Sequence, residues 1–302
     1  MTENILIPFS LHDTSLRGRL VRLTSVVDDI LHRHAYPPPV SELLGEMLVV
    51  VALLSANLKQ EGIFTLEVRG PGPVRLMVAD AVYGGEIRGY AELREGADIP
   101  AADGARAPRD LLGAEAYLAI TIDLGGGAQR YQGMVALEGD SLAEALYAYF
   151  RDSVQLPADL TLAIGRVSTD GATRWRAAGL MLERLPQAHP TEVSEEAEQE
   201  DHWHYARVML ATVKPQEMLD PALPPHDLLY RLFHEQGVVV YPDRSIRTGC
   251  RCSRHRILEV LTSMPQGERE AMVMDGAVRV HCQFCNNEES FTPSEIGVYT
   301  HL

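Results

Sequence analysis

The chain has 302 residues, of which 46% are hydrophobic and 23% are charged; this composition is typical of a soluble globular protein and excludes a disordered or collagen-like chain. The net charge of −15 and the pI near 5.2 argue against broad binding to nucleic acid or to an anionic membrane surface, because an acidic protein repels polyanions. The length allows roughly one to three domains, and we expect no nucleic-acid partner and no membrane partner.

Residues 1–185 mix helical and strand-like patterns, which predicts a mixed N-terminal α/β-layer domain in a protein of the α+β class. A helix is predicted over residues 40–58, after three prolines, and its uncharged apolar run from 47 to 58 is too short to cross a bilayer and indicates a buried helix. Alternation of apolar and polar residues predicts strands over residues 64–69, 74–78 and 131–137. The strand order does not follow from these patterns.

Residues 186–245 are predicted to form a helical, acidic linker. Six acidic residues and no basic residue lie between positions 191 and 201, which favours a solvated, mobile connector that extends into His202-Trp203-His204. Four prolines then separate short helical stretches, and the last stretch carries an apolar stripe formed by Leu228, Leu229, Leu232 and Phe233. An ordinary helical hairpin packed on the first domain explains the same residues equally well.

All four cysteines lie in the predicted C-terminal domain, residues 246–302. This distribution is unlike that of a secreted disulfide protein, and the N-terminus lacks the pattern of a signal peptide, so we expect a reducing cytoplasm. Two close pairs of thiolates can hold one tetrahedral Zn²⁺, which prefers sulfur ligands. We therefore predict one zinc ion with unmetallated thiols as the alternative, and the ligands are Cys250, Cys252, Cys282 and Cys285.

Residues 246–302 bury too little apolar surface to be comfortably stable alone, so zinc, worth about 10 to 16 kcal/mol in small peptides, would supply most of the folding free energy. Ser253 is predicted to cap a helix, and residues 278–282 are predicted to form a strand with Phe291 in its hairpin partner. His255 and His281 are alternative ligand candidates, although a position outside the ligand set is the better interpretation beside four cysteines.

The Cys-x-Cys pair is unusual for a structural zinc site. A disulfide within it would be short and strained, and strained disulfides tend to be labile and regulatory. Arg251, Arg254 and Arg256 surround the pair, where positive charge favours the thiolate, although a solvated basic face is the simpler interpretation of these arginines. The number of ligands leaves a constitutive zinc module and a zinc-based switch both open.

The cysteine signature matches, in order and spacing, that of the bacterial redox-regulated heat-shock chaperones, and the chain resembles this 33 kDa chaperonin family along much of its length. Two departures concern local backbone geometry and not the ligands: Asn286 follows the last cysteine, and Ala178 precedes Gly179, at positions where the family usually has glycine. The segments that carry the resemblance are Arg17-Gly18-Arg19-Leu20-Val21-Arg22-Leu23, His34-Ala35-Tyr36-Pro37-Pro38-Pro39-Val40, Arg130-Tyr131-Gln132-Gly133, Leu137-Glu138-Gly139-Asp140 and Leu229-Tyr230-Arg231-Leu232-Phe233-His234-Glu235.

The resemblance implies an ATP-independent holdase chaperone that is largely inactive while its cysteines hold zinc. It implies that oxidation pairs Cys250 with Cys252 and Cys282 with Cys285, that zinc is released, and that the C-terminal domain and the linker lose structure. The activated protein, often a homodimer, would bind unfolding client proteins until an ATP-dependent foldase chaperone system takes them over. The candidate client-binding surface, with structural packing as the other interpretation, is the stripe Leu228, Leu229, Leu232 and Phe233.

Two other functions are compatible with the residues alone. The Cys282 and Cys285 pair could belong to a thiol-disulfide exchange enzyme, but such a pair sits at the start of a helix, and here two asparagines and two glutamates follow. A zinc-ribbon nucleic-acid-binding protein would need a basic stripe, whereas the chain from Cys250 onward has five arginines against seven carboxylates. We predict no catalytic residue set and no enzyme activity.

Overall fold

The computed structural model describes residues 3–58, 61–99, 107–125, 130–186 and 193–298. It divides into two compact units, Met1–Thr248 and Gly249–Leu302. Sheets and helices occur together, and the four cysteines cluster near the C-terminus, which confirms the predicted α+β class. The predicted domain boundaries at residues 185 and 245 stay a prediction.

The first unit contains two sheets and several helices, numbered here in chain order. Its strands are β1 (Ile5–Leu11), β2 (Leu16–Leu23), β3 (Ile63–Arg69), β4 (Val74–Val82), β5 (Glu86–Leu93), β6 (Tyr117–Asp123), β7 (Tyr131–Ala136), β8 (Ala158–Thr169), β9 (Ala172–Arg184), β10 (Val238–Val240), β11 (Arg244–Ser245) and β12 (Arg247–Thr248). Its helices are α1 (Ser25–His32), α2 (Pro38–Ser55), α3 (Pro108–Leu112), α4 (Leu142–Tyr149), α5 (Val193–Thr212), α6 (Pro215–Leu219) and α7 (Pro225–Phe233).

Helix α2 lies between the two sheets and forms the centre of the main core. The strand order is β10-β1-β2-β9-β8 in the first sheet, with β11 beside β1, and β12-β5-β4-β3-β6-β7 in the second. Because both sheets enclose the helix, it is apolar nearly all round, and 14 of its 18 residues are buried. Its length and composition would suit a membrane span, but 78% of it is buried inside the fold. The predicted buried helix is confirmed, with bounds shifted from 40–58 to Pro38–Ser55.

The other face of the first sheet is covered by α5, α6 and α7. Side chains alternate along β1, so that Ile7 and Phe9 pack against these helices while Leu6 packs into the α2 core. The helices contribute Trp203 and Phe233, among others, to this second apolar cluster. Part of the predicted acidic connector, residues 187–192 and the side chains of 193–196, lies outside the described residues.

The second unit is a small layer of two helices and one hairpin: α8 (Arg254–Ser263), α9 (Gln266–Ala271), β13 (Val278–His281) and β14 (Glu288–Phe291). Ser253 caps α8 as predicted, since its Oγ accepts a hydrogen bond of 3.2 Å from the N–H of Arg256. The predicted hairpin is also confirmed, with Val278 opposite Phe291. Of the side chains described in this unit, few are fully enclosed, and the buried cluster consists of Leu261, Val278, Phe291, Ile296 and Val298.

Candidate metal centre

The four cysteine side chains converge in the second unit. Cys250 and Cys252 lie just before α8, Cys282 follows β13, and Cys285 lies in the turn that leads to β14. Their four Sγ atoms all lie within 4.8 Å of one another. The measured Sγ–Sγ separations are 3.2 Å between Cys250 and Cys252, 3.6 Å between Cys250 and Cys282, and 3.4 Å between Cys252 and Cys285.

The turn between β13 and β14 places the second pair of cysteines. The N–H of Cys282 donates to the carbonyl of Asn287 at 3.0 Å, and the N–H of Asn286 donates to the carbonyl of Cys282 at 2.8 Å. Asn286 has a φ of +57°, a left-handed conformation that asparagine tolerates better than most residues. The departure from glycine at this position is therefore compatible with the same turn.

Hydrogen bonds around the thiols favour one thiolate within the cluster. Burial opposes ionisation of Cys250, but hydrogen bonds from the main-chain N–H of Cys252 and from the other three thiols outweigh it and lower the Cys250 pKa to about 7. Burial raises the pKa of Cys252, and its contacts with the other thiols raise it further. Burial also raises the pKa of Cys285, although the main-chain N–H of Asn287 opposes this change.

The donor set and its spacing fit zinc. A Zn–S bond of about 2.3 Å in a tetrahedral site gives sulfur–sulfur edges of about 3.8 Å, and the three separations of 3.2 to 3.6 Å are close to that value. Four sulfur donors with no carboxylate or imidazole among them are typical of a closed, structural zinc site. All four cysteines are half-buried, so the cluster is enclosed and still reachable from solvent.

The two alternative ligand candidates lie outside the cluster. His255 is exposed and pairs with Glu259 at 3.3 Å, one turn along the same helix. His281 pairs with Glu288 across the hairpin at 2.8 Å, and more than half of its side chain is exposed. Neither histidine belongs to the group of side chains that meet closely enough to share an ion.

The side chain of Arg254 contacts the β13–β14 hairpin beside the cysteine cluster. Its guanidinium donates to the carbonyl of Ser290 at 2.8 Å and to carboxylates of Glu289 and Glu295 at 3.2 and 2.6 Å. The same group lies over the ring of Phe291, 4.3 Å from its centroid. The main-chain N–H of Thr292 and then Arg254 stabilise the Glu295 carboxylate and lower its pKa to about 2. The charge of Arg254 is thus engaged with carboxylates and a ring.

Comparisons with known proteins show the family of the chain. A family model described as Hsp33 protein matches residues 4–292. This chain belongs to the Hsp33 family. Relatives named 33 kDa chaperonin share 33% identity over 294 residues in Caulobacter vibrioides, covering 96% of this chain and 95% of the relative. Those of Ectopseudomonas mendocina and Escherichia coli share 37% and 36% identity, over 96% and 94% of this chain and 92% and 90% of the relative.

The same fold occurs in a crystal structure of a 33 kDa chaperonin from Thermotoga maritima. The TM-score is 0.77 at 23% sequence identity, over 97% of this chain and 96% of the other. Membership in the Hsp33 family supports a chaperone role and with it the binding of unfolded client proteins. Hsp33 is a family of chaperones and not a family of enzymes.

The predicted client-binding stripe on α7 is buried in the first unit. Leu228, Leu229, Leu232 and Phe233 are at most 6% exposed and belong to the cluster under the first sheet. Phe233 stacks on Phe9 of β1 with ring centroids 5.6 Å apart. In this conformation the stripe packs the helix onto the sheet, and its role in client binding stays a prediction.

Arg22 was not among the site residues predicted from the sequence. Its side chain links the first sheet to helices α6 and α7. It lies on β2 with only 8% of its surface exposed, and its guanidinium donates to main-chain carbonyls around α6 and α7. The signal was present in the alternation of β2: Arg22 occupies the same face as Leu20, a position at which a half-buried strand normally has an apolar residue.

Proposed function

We propose that the protein is an ATP-independent holdase chaperone that oxidation of its four cysteines activates. The observation that carries the proposal is the convergence of four thiols, within 4.8 Å, in a member of a chaperone family. The reduced form would be the resting state. The expected location is the cytoplasm, where thiols are normally kept reduced.

In the reduced state Cys250, Cys252, Cys282 and Cys285 would hold one Zn²⁺. When bound, the ion would supply the second unit with most of its folding free energy, since structural zinc contributes about 10 to 16 kcal/mol in small peptides. Among its described residues, the unit has only five buried apolar side chains of its own. Burial of a core this small contributes little against the entropy of ordering the chain.

Oxidation would remove the ligands in pairs. Two ligand thiolates, one molecule of hydrogen peroxide and two protons from solvent give one disulfide and two molecules of water: the sulfur atoms lose two electrons, which cleave the O–O bond, and the two protons neutralise the two hydroxide ions formed. We propose the pairs Cys250–Cys252 and Cys282–Cys285, so that two peroxide molecules convert all four ligands. The unit would then lose its metal and unfold.

Unfolding of the second unit would next weaken the C-terminal end of the first. β11 pairs with β1 and β12 pairs with β5, and each of these last strands is two residues long. Such short pairings are poorly stable once the following chain is disordered. Detachment of α5 to α7 would uncover the apolar face of the first sheet together with Leu228, Leu229, Leu232 and Phe233.

We propose this uncovered surface as a client-binding site. We further propose a homodimer as the active form and an ATP-dependent foldase system as the recipient of clients.

The decisive experiment measures zinc and chaperone activity on the same sample. The reduced protein is expected to contain one zinc per chain and to suppress aggregation of chemically denatured citrate synthase poorly. Peroxide with mild heating should release the zinc and switch suppression on without ATP. Full zinc release with unchanged suppression would contradict the switch, even where the zinc assignment holds.

Three further measurements test the disulfide pairing and the two alternative functions. Mapping of disulfides by mass spectrometry after peroxide treatment should recover Cys250–Cys252 and Cys282–Cys285, and cross-pairs would contradict the proposed pairing. Turnover of a disulfide substrate by substoichiometric protein would favour an exchange enzyme instead, and salt-sensitive submicromolar RNA binding would favour a nucleic-acid-binding role.

A further inference from the structure

Strand β7 forms one edge of the second sheet. It pairs with β6 on one side, and none of the other described strands pairs with it. Among the other edge strands of the two large sheets, β8 packs against α4, α5 and α6, and β10, β11 and β12 are two or three residues long. Strand β5, which β12 pairs with only at Glu86 and Ile87, carries charged residues along its length. In natural proteins, edge strands are kept from pairing with other chains because they are covered by another element, are short, or carry charged residues or proline. The six residues of β7, Tyr-Gln-Gly-Met-Val-Ala, carry neither charge nor proline.

The ladder with β6 shows which main-chain groups of β7 face the open side. The N–H of Leu137, next along the chain, donates to the carbonyl of Ala116 at 2.8 Å, and the register runs through β7 without a shift. In an antiparallel pair, hydrogen-bonded and non-hydrogen-bonded positions alternate, so the odd-numbered residues of β7 bond to β6. The N–H and C=O groups of Gln132, Met134 and Ala136 therefore point to the open edge.

The strand is held firmly from its inner side. A Cβ atom at Gly133 would lie 2.9 Å from Cε2 of Tyr149, so the main chain of β7 lies directly on this ring. The hydroxyls of Tyr131 and Tyr149 are 3.2 Å apart and hydrogen-bonded. A fixed edge loses little conformational entropy when another chain pairs with it. Met134, 62% exposed, adds a flexible apolar side chain that adapts to varied neighbours.

We propose that the open edge of β7 binds an extended segment of an unfolded client polypeptide as an added β-strand. This inference rests on the chaperone role, and it assigns a second client site besides the surface under α5 to α7. Because main-chain hydrogen bonds do not depend on the sequence of the added strand, an open edge strand can bind unfolded polypeptides of many different sequences. Binding at Gln132, Met134 and Ala136 needs no movement of the helices.

A second copy of this chain is a poorer match for the edge. Six strand residues span about 20 Å, and contact along one such strand falls well short of the roughly 1,200 to 2,000 Å² buried in stable protein interfaces. A short peptide segment, by contrast, fills an edge of this length. Binding through this edge is accordingly weak on its own and is strengthened when the same client also reaches another surface of the chaperone.

The test measures binding of a labelled peptide to the reduced full-length protein by fluorescence anisotropy. The probe has ten alternating valine and threonine residues with a lysine at each end, and its matched control carries N-methyl groups on alternate main-chain nitrogens. The variant Met134→Pro removes an N–H that faces the open edge and keeps the ladder with β6, whereas Met134→Ala shortens the side chain and keeps that N–H.

We expect the wild type and Met134→Ala to bind the plain peptide at least about tenfold more tightly than the methylated one. Met134→Pro should bind both peptides equally weakly. Equal binding of the two peptides by the wild type would overturn the proposal without any variant, as would self-association of the wild type that Met134→Pro abolishes. Because no oxidant is used, failure of oxidative activation leaves this result unaffected, and failure here leaves the zinc and aggregation assay unaffected.

Discussion

The guanidinium of Arg22 on β2 donates a hydrogen bond of 2.5 Å to the main-chain carbonyl of Leu223, between α6 and α7. It also donates to the carbonyls of Glu217 and Asp220, at 3.0 and 3.2 Å. Burial lowers the Arg22 pKa to about 10, although Asp220 opposes the change, so the group stays charged at neutral pH. One buried cation on the sheet thus satisfies three carbonyls of the helices that cover it.

Replacing Arg22 with methionine should loosen α6 and α7. The change leaves three carbonyls without their donor, and we expect a local loss of about 2 to 4 kcal/mol. Hydrogen exchange of the amides in residues 215–233 should accelerate at least about tenfold, which corresponds to 1.4 kcal/mol. The control is Arg75→Met, which breaks an exposed ion pair with Glu92 and should change these amides little. Unchanged exchange in Arg22→Met would show that apolar packing alone holds the helices.

The glycine at position 179 is required by the close approach of α2 to the first sheet. A Cβ atom there would lie 2.4 Å from Cγ1 of Val49 and 3.0 Å from Cδ1 of Leu53. Gly179→Ala should therefore lower the free energy of unfolding of the first unit by about 1 to 3 kcal/mol through overpacking. Urea unfolding followed by tryptophan fluorescence measures this, because Trp175 and Trp203 both lie in the first unit.

The neighbouring position provides the matched control. Ala178 faces the other side of the sheet, toward α5 to α7, and Ala178→Gly restores the glycine pair usual in the family. Loss of one methyl group and greater chain freedom should cost about 1 kcal/mol or less. A Gly179→Ala variant no less stable than Ala178→Gly would refute the requirement for close approach.

The elements with local signals could be predicted from the sequence. The cap at Ser253, the hairpin that pairs Val278 with Phe291, and helix α2, predicted over residues 40–58 and observed over Pro38–Ser55, each have their pattern in a local stretch of sequence. The cysteine cluster was also predictable, because four cysteines in two close pairs are the usual donor set of a closed zinc site. The contacts around the cysteine cluster were not predictable, since the hydrogen bonds of Arg254 join residues more than 30 positions apart.

The sheet order and the packing of α5 required the structure. β2 pairs with β9 across more than 150 residues, and no local pattern encodes such a partner. The acidic run favoured a solvated connector, yet Trp203, Ala206 and Leu210 are buried on one face of α5. Their spacing of three and four residues is the helical signal that the charge of the segment obscured.

Glu46 of α2 should make the first unit less stable as the pH rises. Burial, together with Glu42 one turn away, raises the Glu46 pKa to about 7 from its usual value near 4.5. Between these two values the folded state keeps a proton that the unfolded state has lost, so the free energy of unfolding falls as the pH rises from about 4.5 to 7. Above pH 7 the accumulated loss is about 3 kcal/mol at most.

Glu46→Gln tests this pH dependence with little change of volume. The variant should match the wild type near pH 4.5 and exceed its stability by about 2 to 3 kcal/mol at pH 8, measured by urea unfolding with tryptophan fluorescence. Glu95→Gln, at an exposed loop position, serves as the control and should follow the wild type at both pH values. A constant difference between Glu46→Gln and the wild type at all pH values would rule out titration of Glu46 as the cause.

Removal of metal from the reduced protein should unfold the second unit and leave the core of the first unit folded. The second unit has a small buried cluster around Phe291, whereas the first has two large ones, so the two should differ greatly in stability without a metal. After treatment with a strong chelator, amide signals of residues 254–291 should collapse to random-coil positions in an NMR spectrum, while the emission of Trp175, measured in a Trp203→Phe background, stays unchanged. Cys285→Ser should give the same spectrum without chelator, and His281→Ala, beside the cluster but outside the ligand set, should keep the folded spectrum until chelator is added. Dispersed signals for residues 254–291 in the Cys285→Ser protein would contradict a metal-dependent fold.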